Sequence, residues 1–138
     1  MVEDQSYPRV KKFFFLFIFI LSFSKAYSEN FKFIKIANLN NPWGSSFLNN
    51  DEMIITEKSG LIKIVNIINN QVNDVEHNLN FLEDGQGGLL DILHQENKVW
   101  ISYTENRGNR KTSTSIALAN LDKKNLVFRN IFQANPPI

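Results

Sequence analysis

The sequence predicts an all-β fold, and three observations lead there. Beyond about Glu29 the apolar residues come in short β-type runs broken by Asn, Asp, Gly and Ser, and no stretch holds a helical period. Turn-forming clusters separate the runs: Asn49-Asn50-Asp51, Lys58-Ser59-Gly60, Asn69-Asn70, Gln95-Glu96-Asn97, Asn106-Arg107-Gly108-Asn109 and Asp122-Lys123-Lys124-Asn125. The order strand, turn, strand that begins near Gly44 begins again near Leu89. Thr56-Glu57 closes a strand in the first set as Thr104-Glu105 does in the second, 48 positions later. Four strands per unit at a period of about 40 to 50 residues is how a β-propeller blade looks in sequence. A β-sandwich with irregular hairpins fits the strand count as well.

The N-terminal part reads as an address. Lys11 and Lys12 precede an apolar run over 13–23, and small and polar residues follow, ending in Ala26-Tyr27-Ser28. A basic start, a short apolar stretch and a small-x-small cleavage site make residues 1–28 a secretory signal peptide that leaves Glu29 as the new N-terminus. The run is shorter than the roughly 17 to 25 residues that span a bilayer, so membrane contact is expected only through the signal, and the location is periplasmic or secreted. The acidic, proline-containing prefix 1–9 is unusual there; a start at Val10 would give a plain Val-Lys-Lys beginning.

Residues 29–138 form the domain. Strands are expected over 31–37, 44–48, 52–57, 61–67, 72–76, 89–93, 99–104, 113–121 and 126–132, each a β-type run bounded by one of the turn clusters. This part carries 11 bases against 12 acids, a balance that gives no electrostatic reason to expect nucleic acid as a partner. With no cysteine, disulfides, thiolate metal sites and thiol nucleophiles are excluded. The two histidines, His77 and His94, lack the spacing of a paired metal motif, and no metal ligands are assigned.

The stretch Gly85-Gln86-Gly87-Gly88-Leu89-Leu90-Asp91 holds three of the six glycines and then turns apolar. A glycine-rich turn feeding a buried strand lets backbone approach a ligand, and the Gln86 amide offers both a donor and an acceptor. The same residues also suit a tight turn whose glutamine faces water. Trp43 reads as a packing anchor between blades. Trp100 and Tyr103 fall on opposite faces of one strand. Glu57 and Asp91 read as turn or cap residues, and Arg107, Arg110 and Lys111 as a solvated hairpin tip without the aromatic interleaving of a nucleic-acid surface.

Four blocks in collinear order resemble one family: Asn41-Pro42-Trp43-Gly44-Ser45-Ser46-Phe47-Leu48, Ile54-Ile55-Thr56-Glu57-Lys58-Ser59-Gly60, Gly85-Gln86-Gly87-Gly88-Leu89-Leu90-Asp91-Ile92-Leu93-His94 and Val99-Trp100-Ile101-Ser102-Tyr103-Thr104. They are similar to the opening of the soluble pyrroloquinoline quinone (PQQ)-dependent sugar dehydrogenases, the glucose/sorbosone and aldose sugar dehydrogenase group. The resemblance implies a six-bladed β-propeller of which this chain holds about the first two blades. It implies PQQ and calcium as cofactors, an aldose oxidised at its anomeric carbon, and an external electron acceptor. It implies that Gln86 reaches cofactor and sugar, with Gly85, Gly87 and Gly88 keeping that approach clear of side chains, and that His94 is structural. No catalytic residue is assigned within the chain. The catalytic histidine is expected downstream of Ile138, and the cofactor-gripping arginines and the calcium loop further on.

Ring closure takes at least about four blades, so two would leave open edges and the chain reads as an N-terminal fragment, inactive by itself. Two other readings stay open. One is a noncatalytic secreted propeller that binds carbohydrate or protein; the other is a small secreted β-sandwich complete as it stands.

Overall fold

The computed structural model describes residues 31–137. The signal peptide expected over 1–28, its expected cleavage site and the alternative start at Val10 lie outside the described residues. The chain divides into two units, Met1–Ile34 and Lys35–Ile138. All strands among the described residues belong to the second unit, and no helix of the described residues is long and apolar enough to cross a membrane.

Two antiparallel meanders follow one another. The first runs β1 (Pro42–Phe47), β2 (Glu52–Glu57), β3 (Ile62–Asn66) and β4 (Val72–His77), each strand paired with the next. The second runs β5 (Leu89–Gln95), β6 (Lys98–Asn106), β7 (Thr112–Asn120) and, after the two-residue β8 (Asn125–Leu126), β9 (Arg129–Gln133). The asparagine-rich turns fold as their chemistry dictates. The Asn49 Oδ1 accepts from the N–H groups of Asp51 and Glu52 at 2.8 and 3.0 Å, and the Asn66 Oδ1 from those of Ile68 and Asn69 at 3.0 Å each. Such side-chain caps satisfy turn donors that no strand can reach.

Alternation decides which face of each sheet is buried. In β6, Val99, Ile101 and Tyr103 point into the core; opposite them β7 offers Ser115, Ala117 and Ala119 on the same face. Ile54, Ile62, Ile64 and Val75 of the first sheet meet these residues together with Leu89 and Ile92 of β5. Each such aliphatic side chain stabilises by about 1.5–3 kcal/mol when fully buried. Two successive four-stranded meanders sharing one apolar layer are propeller blades rather than the Greek key of a sandwich. Thr56 and Thr104, which marked the repeat, both lie towards the end of the second strand of their blade.

The first strands of the two blades touch. A Cβ at Gly44 of β1 would lie 2.7 Å from Asp91 Cα and 2.8 Å from Leu90 O of β5, so only glycine permits this approach. The Thr56 hydroxyl bridges the seam: it accepts from Gly44 N–H at 3.0 Å and donates to Leu90 O at 2.6 Å, fully buried.

Three expectations need correction. Residues 31–37 form no strand, because an extended run needs a ladder and none pairs with it among the described residues. The expected strand over 126–132 is two strands on different sheets. β8 pairs in parallel with β4 of the first blade, and the Asn78 side-chain amide extends that pairing, donating to Phe128 O at 3.0 Å and accepting from Phe128 N–H at 2.7 Å. Buried Leu126 and Phe128 anchor this crossing before β9 returns to β7. Trp43 is 50% exposed on β1 and lies outside the core cluster.

Candidate functional site

Gln86 stands in a turn between the blades. Gly87 N–H donates to Asp84 O at 2.6 Å, closing a turn whose second residue, Gly85, has φ +53° and open space where a Cβ would be. The turn is fastened on both sides. On the β6 side, Thr104 N–H donates to Gly88 O at 2.9 Å and Leu82 N–H to Thr104 O at 3.0 Å. On the side of the first blade, Leu89 N–H donates to Lys58 O at 3.2 Å and the Lys58 ammonium donates to Gly85 O.

The three glycines of the stretch thus serve different contacts. Gly85 supplies the positive φ of the turn. A Cβ at Gly87 would press on Asp84 O at 3.0 Å and on the Thr104 methyl at 3.1 Å, and one at Gly88 would stand 2.2 Å from Lys58 O. At Gly88 the space is filled by the neighbouring blade's backbone.

The Gln86 side chain is exposed and has no hydrogen-bond partner among the described residues. It borders a cleft of ≈ 390 Å³ whose other walls include Asp84, Thr104, Arg110, Thr112 and Thr114. Arg110 enters from the β6–β7 hairpin in a left-handed conformation, φ +62°, beside Asn109 at +50°. With Ser113, the cleft therefore gathers an amide, four hydroxyl residues, a guanidinium and a carboxylate, groups that can exchange hydrogen bonds with a hydroxylated or carbonyl-bearing ligand.

Behind it lies a second polar group. The Glu105 carboxylate accepts from the Ser115 hydroxyl at 2.6 Å, from Asn130 Nδ2 at 3.0 Å and from Gln133 Nε2 at 2.8 Å, joining β6, β7 and β9. Arg107 lies 3.6 Å from Glu105 and donates to Ser113 Oγ at 3.1 Å, so it is half-buried structure and not part of a solvated tip; Arg110 and Lys111 are exposed as expected. The Tyr103 hydroxyl donates to Asn130 Oδ1 at 2.8 Å, and burial pushes its phenol above the ordinary value despite that bond. Trp100 faces away from Tyr103, as the spacing required.

The remaining singled-out residues are occupied elsewhere. His94 closes β5 against β1, its backbone N–H on Ser46 Oγ at 3.0 Å and its Nδ1 donating to Phe47 O at 3.1 Å. His77 donates from Nε2 to Gly60 O at 2.7 Å and accepts Leu79 N–H on Nδ1 at 3.2 Å, which uses both ring nitrogens of the neutral form. Glu57 is buried and accepts Asn40 N–H at 2.8 Å, whereas Asp91 is exposed and accepts its neighbour's Ile92 N–H at 2.9 Å. Among the described residues no group of three or more His, Asp or Glu could hold a metal ion. Lys58 was visible in sequence only as a turn residue. A glycine at a strand entrance signals that some backbone comes close, but not whose.

The model of the glucose/sorbosone dehydrogenase family matches residues 39–138. No curated protein matches the chain. Among solved structures, the soluble aldose sugar dehydrogenase from Escherichia coli in its apo form is similar at 26% identity and a TM-score of 0.66, over 72% of this chain and 31% of that one. A glucose dehydrogenase is similar at 24% identity and TM-score 0.68, over 72% and 34%. The PQQ-bound aldose sugar dehydrogenase from Streptomyces coelicolor shares the fold at 19% identity and TM-score 0.62, over 72% and 32%. The chain thus spans about a third of the length of the structures it matches.

Proposed function

The chain belongs to the glucose/sorbosone dehydrogenase family, and from that premise we propose that it forms the first two blades of an exported quinoprotein that oxidises aldoses at the anomeric CH–OH. The observation that carries the reading is Gln86: an amide with no partner among the described residues, held on a turn that both blades fasten, at the edge of a polar cleft.

The residues present fit one wall of a site for PQQ and sugar. The Gln86 amide can donate to a quinone carbonyl or exchange hydrogen bonds with a sugar hydroxyl, and Thr104, Thr112 and Thr114 extend the same wall. When bound, PQQ supplies the two-electron acceptor for oxidation of the sugar to its lactone. This chain's share is orientation. Gln86 fixes a ligand oxygen, and the clamped turn holds that amide in place before the ligand arrives, which is how positioning lowers a barrier. Neither His77, with both ring nitrogens bonded, nor His94, whose Nε2 is buried without a partner, lines the cleft beside Gln86, so the base that takes the hydroxyl proton belongs elsewhere in the protein. The same holds for the ligands of the calcium ion that accompanies the quinone in this proposal. Export to the periplasm or outside the cell follows from the signal-like pattern over 1–28, and an external acceptor would take the electrons.

The test uses the protein produced from its complete natural reading frame, with PQQ, calcium and a panel of aldoses, following reduction of a dye. Replacing Gln86 by Ala should lower kcat/KM by about one to two decades, equivalent to a lost polar contact of roughly 1–3 kcal/mol. An unchanged kcat/KM would remove Gln86 from the site. Sugar binding with no dye reduction in the unaltered protein would favour a noncatalytic carbohydrate-binding propeller instead.

A further inference from the structure

We propose that Lys58, on the first blade, is the positioning residue for Gln86 on the second. Within itself the turn that carries Gln86 has one backbone bond, Gly87 N–H to Asp84 O; its second residue is a glycine in open space, and the Gln86 side chain has no partner among the described residues. What fixes it from the first blade comes from a single residue. The Lys58 ammonium donates to Gly85 O, the peptide that enters Gln86. The Lys58 carbonyl accepts from Leu89 N–H at 3.2 Å, on the chain leaving the turn. Its stem passes directly over Gly88, where a Cβ would come within 3.0 Å of Lys58 Cγ and 2.2 Å of Lys58 O. Its own N–H donates to Asn41 O at 3.1 Å, which ties the clamp to the start of β1.

The charge is spent on the turn. The ion pairs of the described residues use Lys63, Arg107 and Lys123, and Lys58 has no carboxylate within 4.0 Å among them. An ammonium on a lone carbonyl makes a charge-assisted bond, stronger than a neutral one, here at an exposed position. Lysine has the reach for this and methionine has the stem without the donor, so the two functions of the side chain can be separated.

The role of Lys58 in the reaction rests on the reading of Gln86 as a ligand contact; its hold on the turn does not. The first measurement is therefore amide hydrogen exchange in the unaltered protein, Lys58→Met and Lys58→Arg. Lys58→Met should speed exchange at Gly87 and Leu89, the hydrogen-bonded amides of the turn, by about tenfold or more while Ile54 and Ile101 stay protected, and Lys58→Arg should restore most of the difference. Unchanged exchange at the turn, or no rescue by arginine, overturns the proposal whatever the protein catalyses. The second measurement is kcat/KM for the complete reading frame. Lys58→Met should lower it, and should lower it no further when Gln86 is already Ala, because the clamp acts only through that side chain. Fully additive losses overturn the positioning role. Loosened exchange with unchanged kcat/KM would uphold the clamp and overturn Gln86 as the ligand contact, so the two readings fail separately.

Discussion

Replacing Thr56 by Val isolates the bond that joins the two blades. The side chains have the same shape and Thr56 is fully buried, so packing is kept and only the hydroxyl is lost. Two groups then lose their partner: Gly44 N–H, 3.0 Å from the oxygen, and Leu90 O, 2.6 Å from it. A buried polar group left unsatisfied costs about 1–3 kcal/mol. Gly44 is buried and should bear such a cost in full, whereas Leu90 is half-buried and its carbonyl can recover some hydration. The sum is about 2–4 kcal/mol, a large part of the roughly 5–15 kcal/mol that holds a domain together. In urea denaturation of the purified protein, Thr56→Val should lower the midpoint accordingly at unchanged slope. Thr56→Ser keeps the hydroxyl and should fall between the two, losing about 1 kcal/mol for the methyl. A valine variant within about 0.5 kcal/mol of the unaltered protein, or one more stable than the serine variant, would refute the bridge as a source of stability.

Gly60 has φ +102°, and a Cβ there would lie 1.9 Å from Phe81 Cζ, so Gly60→Ala combines backbone strain with overpacking and should cost about 2–5 kcal/mol by the same measurement. Adding Phe81→Ala should recover part of that loss, which a double-mutant cycle would read as a non-additive pair. Tyr103 gives a pH dependence: burial raises its phenol above the unfolded value near 10, so its stabilisation is full below that value and is lost as pH rises towards and through the folded one. Ultraviolet titration of tyrosinate should show one late phenol that disappears in Tyr103→Phe, together with the matching part of the alkaline loss of stability.

Most of the strand pattern was legible because period-2 alternation and asparagine turns are local signals. Asn49 and Asn66 cap their turns within three residues, and a reader of the sequence has every group needed. The crossing over 124–133 was not legible for the opposite reason. Its apolar residues 126, 128 and 132 suit one continuous strand, and what divides them is Asn78, 50 positions away, claiming Phe128 for the first blade. Arg107 was misread for the same cause: a basic residue in a turn cluster is solvated unless a Glu105 and a Ser113 meet it, and that meeting depends on the register of β6 against β7. Gln86 itself could be picked out from its glycines, but the sequence could not say what each glycine accommodates. The four-block resemblance fixed the family and the order of the blades, and left the cross-blade contacts unseen.

Those contacts explain why a site on this scaffold can be placed with accuracy. Side-chain packing between two sheets can adjust by changes of rotamer, whereas backbone in contact with backbone cannot. The seam has two such contacts, Gly44 on Asp91 and Gly88 on Lys58, and beside them Gly60 takes the Phe81 ring on the connection between the blades. Each would be blocked by a single methyl, so each defines a distance to within a fraction of an ångström. Thr56 and Lys58, on the same strand end, then supply the directional bonds that choose one register among those the glycines permit. Gln86 inherits its place from this joint, and a change at Gly88 or Lys58 should disturb it more than a change to the apolar core of either blade.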